Sequence, residues 1–180
     1  SVEEMLEKIR RRATESVKRL RKILKEIKER NEKAIRDDRR LLEEIERRIR
    51  EVVKRLRDAG VSEDLVRRLE EILKRVKEAV EKSVRESKKL VDDTKRNVEK
   101  HIEDNKRVVD RVEEAVRRNS SEETVKRLEE EVEKIVRDSE RNAREMLERN
   151  RRLIEESKKR TKDLLKEVED EVRKLEEEVR

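Results

Sequence analysis

The chain has 180 residues, 58% of them charged and 31% hydrophobic, with a single Gly and no Cys, Pro, Phe, Trp or Tyr. Without Cys there is no disulfide, no thiolate chemistry and no Cys-based metal site, and the redox compartment and localisation stay open. The formal net charge of +6 is uneven: residues 1–59 hold 21 basic and 14 acidic groups, residues 60–119 hold 17 and 15, and residues 120–180 hold 17 and 20.

High charge with low hydrophobicity ordinarily favours disorder. Here the apolar residues are strictly periodic, and most of the others are Glu, Lys and Arg, which are strong helix formers. Periodicity decides for an all-α protein. The basic first third beside an acidic last third points to complementary flanks within one molecule more than to a nucleic-acid footprint.

Ser1-Val2-Glu3-Glu4 opens as a capping box, with the Ser1 hydroxyl accepting from the Glu4 amide. From there an inward stripe runs Val2, Leu6, Ile9, Ala13, Val17, Leu20, Leu24, Ile27, Asn31, Ile35, Asp38, Leu42, Ile45, Ile49, Val53, Leu56. These are fifteen steps over 54 residues, or 3.6 residues per step. The first helix is expected over 2–58. Residues 59–62 form a junction, in which Gly60 supplies a left-handed residue and Ser62 caps the next helix.

The second helix is expected over 63–118. Its inward phase, set by Leu65, Leu69, Ile72, Val76 and Val80, continues through Ser83, Ser87, Leu90, Thr94, Val98, His101 and Asn105, with Asn97 among the polar residues of this stretch. Polar groups thus occupy a face that should be buried. Residues 119–121 form the second junction; Asn119 takes the left-handed position, and either Ser120 or Ser121 caps the third helix. That helix, over 122–179, carries the stripe Val125, Leu128, Val132, Ile135, Ser139, Ala143, Met146, Asn150, Ile154, Ser157, Thr161, Leu164, Val168, Val172, Leu175, Val179. Glu176, Glu177 and Glu178 oppose its dipole, so packing must hold that end.

Three helices joined by short loops pack as antiparallel neighbours. The pattern also repeats every 18 residues (Leu6, Leu24, Leu42; Ile9, Ile27, Ile45; Leu128, Met146, Leu164), which is five turns of 3.6. A heptad would impose left-handed supercoiling, whereas this period keeps the seam straight. The expectation is one long, nearly untwisted, up-down-up three-helix bundle spanning 1–180.

Folding the chain at its two junctions places first-helix residue i level with residue 121 minus i of the second helix and i plus 120 of the third. Asp38 then falls near Ser83 and Ser157. Asn31 falls between Ser87 and Thr94, level with Asn150. Ser16 falls near Asn105, with His101, Ser139 and Asn142 in reach. A lone buried amide or hydroxyl costs about 1–3 kcal/mol, so groups that coincide in layers are expected to satisfy one another and fix register.

The restricted alphabet, the single Gly60, the Ser-Glu-Asp and Ser-Ser-Glu-Glu caps, the 18-residue repeat and the layered Asn, Ser, Thr and His resemble de novo designed helical bundles with buried hydrogen-bond networks. The resemblance covers the whole chain. It implies a built scaffold whose polar layers serve specificity, and members of that class often associate as homo- or hetero-oligomers. It carries over no catalytic motif.

His101 reads first as a neutral core histidine within the Ser16, Asn105 and Ser139 layer. A pH switch is the sharper alternative; metal binding lacks a second His or any Cys. A Ser16–His101 nucleophile pair lacks its third member, since Asp38 lies roughly 27 Å away at helical rise. Asp38 is read as a hydrogen-bond acceptor for Ser83 or Ser157, and Met5 and Met146 as core filler. Runs such as Arg10-Arg11-Arg12 read as solvated faces. With no aromatics for stacking, no specific nucleic acid is expected. No apolar run approaches the ~18 residues of a membrane span and no signal-peptide pattern is present, so no membrane partner is expected. No catalytic, cofactor or metal residues are assigned. The leading expectation is a structural scaffold without enzymatic activity; the runner-up is an interaction module offering a seam to a partner helix or a second copy.

Overall fold

The structure, a computed structural model, describes residues 1–179, the side chain of Val179 excepted. Three helices make up nearly all of it: α1 (Val2–Asp58), α2 (Glu63–Arg117) and α3 (Glu122–Val179). They pack against one another as an all-α three-helix bundle, with no strand among the described residues. The expected inward position Val179 lies outside the described side chains.

Local chemistry sets the ends. The Ser1 hydroxyl accepts from the Glu4 amide at 3.3 Å, and the Glu4 carboxylate lies 3.6 Å from the chain's amino group. Gly60 has φ +70°; the Val61 amide donates to the Leu56 carbonyl and the Gly60 amide to that of Arg57, both at 3.0 Å. These two bonds satisfy carbonyls that an abrupt end would orphan. Asn119, at φ 52°, repeats the motif, with Ser120 donating to Ala115 and Asn119 to Val116. The Ser120 amide thus closes α2, and Ser121 is the N-cap, its hydroxyl accepting from the Thr124 amide at 3.2 Å. Helix α2 ends at Arg117 rather than 118, because the turn into Asn119 already begins at Arg118.

The chain divides into two compact units, each taking a segment of all three helices. Unit 1 comprises Ser1–Glu29 and Leu90–Arg151; unit 2 comprises Arg30–Lys89 and Arg152–Arg180.

In unit 1, Ile9, Val108, Val112, Val132 and Val136 form one apolar cluster, and Leu20, Val98 and Ala143 a second. Between α1 and α3, Lys8 pairs with Glu129, Arg12 with Glu133 and Arg19 with Glu140, always 121 residues apart. A constant positive offset means that these segments run parallel. Helix α2 runs against both, as Arg10–Glu113 and Arg111–Glu131 show.

In unit 2, a larger cluster gathers Ile45, Ile49, Val52, Leu56, Leu69, Ile72, Val76, Val80, Val84, Val168, Val172 and Leu175. Val52 is buried and Val53 half-buried, the reverse of the expected stripe order, because the face of α1 here meets two neighbours. The 121-residue offset holds again in Arg48–Glu169 and Arg55–Glu176. Antiparallel α2 is tied by Lys77–Glu46 and Arg75–Glu171. Each fully buried Leu or Ile contributes about 1.5–3 kcal/mol, against about 0–1 for an exposed ion pair. Apolar burial therefore holds the helices together, and the ion pairs set which flanks meet.

Candidate functional site: polar side chains among the helices

In unit 2 the inward step of each helix brings one polar side chain to a common place. Ser83 Oγ donates to Asp38 Oδ2 at 3.1 Å and lies 2.7 Å from Ser157 Oγ. A hydroxyl has one proton, and that of Ser83 is committed to the carboxylate. Ser157 therefore donates to Ser83, which accepts. One residue from each helix is thus joined in a chain of two bonds. Burial pushes the Asp38 carboxyl above its ordinary range; the Ser83 bond pulls it back, and neighbouring Asp37 adds to the rise.

Thr161 Oγ1 donates at 2.9 Å to the Ser157 carbonyl, one turn back on its own helix. A cleft of about 210 Å³ between α2 and α3 is lined in part by Ser83, Ser157 and Thr161, with the Arg160–Glu86 pair, at 3.6 Å, on its rim. Small hydroxyl residues leave this space where Leu or Val would fill it. Asn31 is buried, while Ser87 is half-buried on the inward face.

In unit 1 the centre is His101, half-buried. Its Nδ1 lies 3.2 Å from Ser139 Oγ and its Nε2 3.5 Å from Asn142 Nδ2. An amide nitrogen only donates, so Nε2 accepts, and the neutral ring carries its proton on Nδ1, directed at Ser139. Burial lowers the tendency of His101 to protonate; Asp104 and Asp138 work against that, and Lys100 with it.

The expected layer forms only in part. Ser16, at 0% exposure, and Asn105, at 2%, are buried but do not reach the imidazole. Among the described residues nothing hydrogen-bonds to Ser16 Oγ, or to either amide atom of Asn105 or Asn150. Equal height is not equal direction: each residue along a helix turns its side chain by about 100°, so groups at one level can face different seams. Thr94 is buried but donates to its own Leu90 carbonyl at 2.7 Å, not across the bundle. Asn97 is exposed, because Val98, fully buried beside it, takes the inward place.

The interhelical ion pairs were legible in the sequence only as complementary flanks. The i plus 120 height rule, combined with opposite charge, is the signal that would have named them. Among the described residues, no three His, Cys, Asp or Glu side chains gather to hold a metal ion, and no helix is long and apolar enough to cross a membrane. No family model, curated protein or solved structure matches the chain.

Proposed function

We propose that the chain is a structural scaffold, of the kind built by design, whose inward polar side chains fix how its helices meet. The observation that carries this reading is the Asp38–Ser83–Ser157 chain, in which three helices each give one polar residue and each residue finds a partner. Net stabilisation is not its main effect, since a neutral hydrogen bond contributes only about 1 kcal/mol. Its effect is discrimination, because a shifted pairing would leave a carboxylate and hydroxyls facing hydrocarbon.

Two features speak against catalysis. Ser139, the only hydroxyl paired with the imidazole among the described residues, is 1% exposed, so no substrate reaches it. The backbone around it is regular helix, whose amides are spent on internal bonds and offer no oxyanion site.

The test replaces all three residues at once, Asp38→Leu with Ser83→Val and Ser157→Val. Circular dichroism should show helix content and melting temperature retained or raised. Amide NMR spectra should broaden or double as alternative pairings appear. A single sharp set of resonances in the apolar variant would overturn the reading. Light scattering on the parent chain should give the monomer mass of 21.9 kDa. A second reading, a module that binds a helix, is favoured by one groove in unit 1.

A further inference from the structure

Between α1 and α2 of unit 1 lies an open groove of about 430 Å³. Its floor is apolar, with Ala13 and Val17 from one helix and Ile102 and Val109 from the other. Four cations line it, Arg10, Lys18, Arg21 and Lys106, and no carboxylate does. In a chain with 55 basic and 49 acidic residues, that local imbalance is large. Arg10 is held by Glu113. Among the described residues Lys18, Arg21 and Lys106 sit in no ion pair.

A second observation points the same way. Asn105 also lines the groove, is 2% exposed, and has both amide atoms without a hydrogen-bond partner among the described residues. A buried amide normally finds a partner. This one lies beneath an open groove.

We infer that this groove is a docking surface for an acidic amphipathic helix of another protein. An apolar floor two helices wide, flanked by cations, is the complement of a helix with an aliphatic stripe and Glu or Asp on its margins. From Arg10 to Arg21 the groove runs roughly 17 Å at ~1.5 Å rise, or three turns of a docked helix. A second copy of this chain is the poorer occupant. Its most acidic amphipathic stretch, at the start of α3, already buries Val125, Val132 and Val136 against its own neighbours. This inference goes beyond the scaffold reading and does not depend on it.

The test uses the full chain and a labelled synthetic peptide of about six turns, with Leu and Ala on one face and Glu on both margins. Fluorescence anisotropy should show saturable binding that weakens steeply with added salt, as attraction among exposed charges does. Joint reversal of Lys18, Arg21 and Lys106 to Glu should weaken binding at least about tenfold. Circular dichroism of that variant should stay unchanged, because none of the three holds an ion pair. Equal binding of a scrambled peptide of the same charge would overturn the inference, as would no binding, or binding that survives the reversals. A doubled mass for the chain alone, lost in the triple reversal, would assign the groove to self-association and overturn it as well.

Discussion

Ser83 Oγ donates to Asp38 Oδ2 at 3.1 Å, across 45 residues of sequence, yet this bond does not restore the carboxyl to its ordinary acidity, because burial outweighs it. The sign of the pH effect follows. A folded carboxyl that holds its proton more tightly than the unfolded one costs stability above about pH 3.8 and none well below it. Asp38→Asn keeps an oxygen acceptor for Ser83 and removes the charge. Its melting temperature should exceed the parent's at pH 7, with the gain vanishing as pH falls below 3.8; thermal melts at both pH values check this.

His101 works in the opposite direction. Its proton affinity is lowered in the folded chain, so the unfolded state binds the proton more readily, and stability falls as pH drops through about 6.5. The charges of Asp104 and Asp138 soften the loss; that of Lys100 sharpens it. Protonation also places a hydrogen on Nε2, where the Asn142 amide now donates. Since this is the single His, melting temperature should decline between pH 8 and 5, and His101→Gln should remove most of the slope. Equal slopes in the two proteins would contradict this.

Asn150 is fully buried, and among the described residues neither of its amide atoms has a partner. A change of Asn150 to Leu could strand only groups that bond to its amide. With no partner to strand, the change removes a desolvation cost. Stability should rise by about 1–3 kcal/mol, or several degrees in a melt.

Gly60→Ala tests the first junction. A Cβ there meets nothing within 4 Å, so crowding plays no part, and only the φ of +70° opposes the side chain. The expected loss is about 1–2 kcal/mol, read from chemical denaturation. Asn119→Gly, at the equivalent left-handed position, should gain a few tenths of a kcal/mol.

The helix ends were the most legible part of the chain, because caps depend on neighbours within a few residues: Ser1 with Glu4, Val61 with Leu56, Ser62 with Asp64. The choice of Ser121 over Ser120 was not, since either hydroxyl could cap; it is the Ser121 hydroxyl that accepts from the Thr124 amide, while the Ser120 amide closes the preceding helix. Helix class and the up-down-up order followed from the 3.6-residue stripe and the two short junctions. In the interior, counting from the junctions gives height but not direction. Asp38, Ser83 and Ser157 share both and bond to one another. Ser16 and Asn105 share a level with His101 but not its direction. Thr94 and Thr161 satisfy themselves on their own backbones, an option open to any buried threonine.

Among the described residues, five pairs between α1 and α3 place every cation on the first helix and every anion on the third. Suppose α3 slid by one turn so that each cation met the residue four places further on. Arg12 would then confront Arg137, Arg19 would confront Arg144, and Arg48 would confront Arg173. Sliding the other way would set Arg19 against Val136 and Arg48 against Leu165. One pair survives each slip, Lys8 meeting Glu133 in the first and Arg12 meeting Glu129 in the second, but most of the others turn repulsive or lose their anion, so the flank behaves as a ratchet with one preferred notch: weak bonds that add little to the strength of the assembly still penalise its nearest errors from both sides.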